Sequence, residues 1–176
     1  MRNRDRPLGR ETDIAATGRR RIWYGYGSMA HAEKSGIGRF LDDTTRLYAE
    51  VSVFSLPVLL FIMSYPATGP VDAKATGFVG WMTMTLVGAL IRGGWVRPLA
   101  TDSLGWVRLS PWLLVLRVGY VPAAFALATF GGLVVAGLVG SAAAGLLWAA
   151  AVAAVAMGLF PSLASRWLAW VRERTA

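Results

Sequence analysis

Three charged residues stand in or against apolar sequence and are the first candidates for chemistry: Glu50 in LYAEVSVF, Arg92 after LVGALI, and Arg117 within LLVLRVGYVPAAF. A guanidinium surrounded by hydrocarbon is costly, and such residues pair, line a polar path or reach an interface. Each of these roles is open to Arg117. As an anchor it would lie five residues past Trp112, about 7.5 Å along a helix and within snorkelling reach of headgroups. As a structural partner it would meet Glu50, which lies only about 4.5 Å inside its own helix and so at a similar depth. Such a pair, if bidentate, fixes the register of the first helix against the third. Arg92 competes for the same carboxylate. The third role is proton or ion handling.

The remaining inventory is thin. Asp42 and Asp43 form an adjacent acidic pair, and carboxylates beside a membrane interface can hold Mg²⁺. Their neighbours Arg39 and Arg46 point instead to a solvated helix face of opposite charges. The chain has no cysteine and one histidine, His31, which rules out thiolate metal sites, disulfides and multi-histidine metal or haem ligation. GYGS at 25–28 and the pair Gly93–Gly94 lack the lysine and hydroxyl that complete a phosphate loop. No serine, histidine and aspartate set stands out. No catalytic residue, metal site or cofactor is expected.

The elements that carry these residues follow from composition. Of 176 residues 55% are hydrophobic and only 16% charged, too apolar for a domain whose whole surface meets water. The charge is uneven, with ten of the eighteen Lys and Arg and seven of the ten acids before Val51. Residues 1–36 make a polar, basic arm, partly disordered, with no apolar core of a cleaved secretory signal. From Ile37 to Val51 apolar residues recur every three or four positions, giving an amphipathic juxtamembrane helix. Residues 37–176 form the transmembrane domain.

Four spans are expected. The first, at about 47–65, contains Pro57; the second runs over about 75–91. From Trp112 to Phe160 the chain is apolar for 49 residues, a rod of about 73 Å if straight, so it must fold back. Gly140, Ser141 and Gly145 mark the turn, giving spans at about 112–137 and 142–160, the last closed by Pro161 and a basic tail. Small residues at helical spacing, Gly80 and Thr83 in the second span and Gly132, Ala136, Gly137, Ala154 and Gly158 in the last two, predict close helix packing. Trp95, Trp106, Trp112, Trp167 and Trp170 predict interfacial anchors. Lys and Arg alternate sides with each crossing, which puts both termini in the cytoplasm of a cell-membrane protein.

The fold class expected is therefore an all-α integral membrane bundle of four helices with a basic cytoplasmic arm. The formal charge of +8 could suggest nucleic acid, but cytoplasmic Lys and Arg explain it more simply, and anionic headgroups are the natural counter-surface. The functional expectation is a small accessory, assembly or scaffold subunit, associating with membrane partners or with itself. A transporter or channel subunit is the alternative, and a lipid-modifying enzyme the third reading.

Overall fold

The computed structural model describes residues 36–67, 69–101 and 111–175. The basic arm before residue 36, together with Trp106, lies outside them. The described residues form four helices and no strand: α1 (Gly36–Ser64), α2 (Ala73–Arg92), α3 (Pro111–Val139) and α4 (Ala142–Thr175). Each is long and apolar enough to cross a membrane.

Local chemistry sets the boundaries. The amphipathic segment and the apolar segment after it are one helix, α1, with Pro57 inside it. Asp72 caps α2, its Oδ1 accepting from the Lys74 backbone N–H at 3.0 Å, which supplies one of the orphan donors of a helix start. At the other end the Gly93 N–H donates to the Ala89 carbonyl at 2.8 Å. Only Gly140 and Ser141 separate α3 from α4. Gly140 has φ +70, a conformation that glycine adopts freely, and the Ser141 N–H returns to the Ala136 carbonyl at 3.1 Å. This closes α3 in a Schellman arrangement.

One boundary differs from expectation. Pro161 does not close the fourth helix, which continues through it to Thr175. The proline removes one backbone donor, but the residues beyond it have a buried face of Ala164 and Val171. The Trp167 indole N–H also donates to the Trp112 carbonyl at 3.0 Å. Packing on α3 therefore carries the helix past its defect.

The helices α3 and α4 run antiparallel and make the most extensive contact in the bundle. Partner positions fall on one as they rise on the other: Trp112 with Trp167, Tyr120 hydroxyl donating to the Ala156 carbonyl at 2.7 Å, and the Trp148 indole reaching the Leu127 carbonyl at 3.4 Å. Further along the same seam Gly132 faces Gly145, where a methyl group on Gly145 would meet the Gly132 carbonyl at 2.6 Å. The second helix packs on this hairpin through Gly80, whose missing methyl would touch Ala128 at 3.4 Å. In α2, Gly88 leaves room for Leu47 of α1 and Met157 of α4. The core around Phe125, Phe160, Leu47, Met84 and Leu113 is fully buried. Outside it the surface is apolar, with Leu138 at 83% and Leu147 at 70% exposure.

Two glycines in the hairpin should respond oppositely to alanine. At Gly145 the added methyl meets backbone, and overpacking of this kind costs about 1–3 kcal/mol. At Gly137 there is open space, so alanine should stabilise by roughly 0.5–1 kcal/mol through helix propensity. Thermal unfolding of the two variants in one detergent measures both signs; a stabilised Gly145→Ala would contradict the packing.

Candidate functional site

The charged residues gather at one end of the bundle. Asp43 and Glu50 are seven residues apart on α1, two turns and about 10.5 Å, so they share a face with Leu47 between them. Arg92 occupies the last turn of α2, where a cation complements the helix dipole. Arg117 is in the second turn of α3 and only 6% exposed.

These four groups make two ion pairs between helices. The Arg117 Nε lies 2.9 Å from Glu50 Oε1, tying α3 to α1, and the Arg92 Nε lies 3.5 Å from Asp43 Oδ1, tying α2 to α1. Arg92 is thus the partner of Asp43 and not of Glu50. Two cations and two carboxylates make a cluster of zero net charge. The Arg117 guanidinium also stands over the Phe160 ring of α4 at 5.7 Å to the centroid, at the outer limit of a cation–π contact. Tyr120, one turn further into α3, packs its ring on Phe160 at 5.4 Å. All four helices therefore meet at this level.

Asp43 is the residue that the acidic pair concealed. It is 5% exposed and faces Arg92, whereas Asp42 points outward to Arg46 at 3.8 Å. The pair is split between a buried contact and a solvated one, so the two carboxylates do not converge on a common ion. Among the described residues no group of three or more His, Asp or Glu is arranged to hold a metal. The seven-residue spacing of Asp43 and Glu50 was the available signal for a shared buried face.

The small residues divide in the same way. Gly80, Gly132 and Ala136 lie at close helix contacts, and Gly158 receives the side chain of Leu99. Thr83 is half-buried, and Gly77, Gly80 and Gly88 of α2 lie against side chains of the neighbouring helices. On the hairpin Gly137 is exposed, and Ala154 is half-buried beside the fully buried Ala153. Of the tryptophans, Trp95, Trp112 and Trp170 are exposed at the end of the bundle that holds the ion pairs; Trp167 and Trp170 stack at 5.2 Å, with Arg174 over Trp170 at 4.1 Å.

Chemically the cluster can hold helices in register and can hold charge without solvent. Removing one partner of a buried pair leaves the other uncompensated, a loss of about 3–5 kcal/mol in favourable cases. Glu50→Gln and Arg117→Leu should therefore each lower the folded yield in membranes. The double variant should recover much of that yield, with a coupling of roughly 1–3 kcal/mol between the sites. Additive losses in a double-mutant cycle would show that the pair contributes nothing.

No curated protein and no solved structure matches the chain. A family model matches residues 34–167, which takes in the four helices up to Trp167 and both ion pairs. The chain belongs to the family described as a domain of unknown function (DUF8215).

Proposed function

We propose that this protein is a multi-pass integral membrane protein of the cell membrane with both termini cytoplasmic, and that it acts as an accessory, assembly or scaffold subunit without catalysis of its own. The observation that carries this reading is the pairing of the charges. Glu50 with Arg117 and Asp43 with Arg92 commit the interior acids and cations to holding α1 on α2 and α3. Ionisable groups between membrane helices are expensive, and here each is matched by an opposite charge. The outward faces are rich in Leu, Val and Phe, suited to acyl chains or to another helix. Exposed Trp95, Trp112 and Trp170, with Arg97 and Arg166, suit a cytoplasmic headgroup layer that is anionic.

A transporter or channel subunit is the second reading, favoured by the buried hydroxyls of Ser55, Thr85 and Thr129, which have no hydrogen-bond partner within the bundle. The lipid-modifying reading is weaker, because Asp43 is engaged by Arg92.

Purification in nanodiscs or a mild detergent, with mass spectrometry of what co-elutes, tests the first reading. A stoichiometric protein partner or a defined oligomer is the expected result. A lone monomer whose liposomes carry an ion flux abolished by Thr129→Val would transfer the case to the second reading. Reporter fusions test the topology: the C-terminus should report cytoplasmic and an insertion at Ser141 external, and the reverse would overturn the orientation.

A further inference from the structure

The cations of the bundle fall into two sets. Arg46, Lys74, Arg92 and Arg117 each face a carboxylate. Arg97, Arg166 and Arg174 are exposed, and among the described residues no carboxylate forms an ion pair with them. Two of these three share a face of α4 near its end, where Arg166, Trp170 and Arg174 follow at four-residue steps, all exposed. Ala164 and Val171 bury the other side of this segment. With Arg172 and the exposed Glu173, the side chains of the segment carry a net charge of +2, three arginines against one glutamate.

Arg174 is held in place by a chain of contacts that starts on α3. The Trp167 indole N–H donates to the Trp112 carbonyl at 3.0 Å, the Trp167 ring stacks on Trp170 at 5.2 Å, and the Arg174 guanidinium stands over the Trp170 ring at 4.1 Å. Helical side chains lean towards the N-terminus, so Arg174 folds back over the residue one turn before it. A guanidinium over an indole keeps N–H donors free, and its planar fork matches a phosphate group bidentately.

The depth suits a lipid headgroup. The 34 residues of α4 make a rod of about 51 Å against about 30 Å of hydrocarbon, so its last turns extend beyond the acyl chains. With Trp112 and Trp167 at the hydrocarbon boundary, Trp170 lies about 4.5 Å further out, within a headgroup layer about 5–7 Å deep. The same face becomes apolar towards the bundle. Leu163, seven residues before Trp170, is 37% exposed, and Val155, two turns deeper, is 50% exposed. Basic and aromatic groups followed by aliphatic ones match the order of a phospholipid, whereas a free phosphate ion would use only the basic end.

We infer that Arg166 and Arg174, with Trp170 between them, hold the phosphodiester of an anionic phospholipid whose acyl chain lies along Leu163. The inference rests on the reading of this end of the bundle as lying in a headgroup layer, and it holds for an assembly subunit and a transporter alike.

Native mass spectrometry of the full chain in a mild detergent, titrated with phosphatidylglycerol or phosphatidylcholine, tests the site. Phosphatidylglycerol should bind in preference, since the choline cation offsets its own phosphate, and excess inorganic phosphate should not displace it. Arg166→Gln and Arg174→Gln should each weaken that binding about fivefold, the usual contribution of one arginine near an anionic lipid surface. Trp170→Leu keeps both charges and should weaken it about threefold, by removing the ring under Arg174. Arg97→Gln removes an equal charge at the same end of the bundle and should leave the affinity unchanged. A loss in Arg97→Gln as large as in Arg174→Gln, displacement by inorganic phosphate, or a dimer in place of bound lipid that Trp170→Leu dissolves, would overturn the site while leaving the membrane reading standing. A chain that stays monomeric without detergent and binds neither lipid would overturn both.

Discussion

A guanidinium buried among apolar side chains has few acceptable surroundings, and Arg117 is the point at which this bundle meets that constraint. Its match is Glu50 at 2.9 Å, and the match sets the height of α1 beside α3. Other contacts depend on that height. Leu47 of α1 lies in the space left by Gly88 of α2, and Ile62 lies in the space left by Gly77. Asp43 then reaches Arg92 at the end of α2. Because a pair of charges acts over a longer range than dispersion, it selects the register, and the small residues make that register tight.

The helices themselves were legible because length and apolar content decide them: 49 nearly uncharged residues cannot form one span, and Gly140 was one of few residues able to turn the chain. The partners were less legible. Arg92 and Glu50 lie at similar depths, and depth along the sequence does not say which carboxylate a guanidinium will meet; the two-turn offset of Asp43 and Glu50 along one face of α1 decides it, with Asp43 reaching Arg92 and Glu50 reaching Arg117. A stripe at helical spacing, such as that of Gly80 and Thr83, likewise marks a face without marking which neighbour it touches. Pro161 was legible as a defect, but not as a tolerated one. Its tolerance comes from Trp167 bonding Trp112, a contact between residues 55 positions apart that local sequence does not contain.

Polar groups are handled differently at the two ends of the bundle. At the end that holds Asp43 and Arg92 the interior is matched charge against charge. Towards the other end it is glycine against glycine at 132 and 145, with the rings of Phe61, Tyr65 and Phe130 grouped at 5.5–5.9 Å. The first kind of contact is directional and sensitive to its partners, while the second depends mainly on shape. A single charge change at the first end therefore alters which helices belong together, whereas a single methyl at the second alters how closely they approach.

The two-residue link between α3 and α4 has a consequence for how such a chain can diverge. With Gly140 and Ser141 alone between the helices, and the last carbonyls of α3 already answered by the turn, there is no slack to absorb an insertion or a deletion. Losing one residue early in α4 would rotate everything after it by about 100° and carry Ala149 and Ala153 away from the faces that bury them. Length change is thus closed to this hairpin as a route of variation, and exchange of side chains at fixed positions is what is left to it.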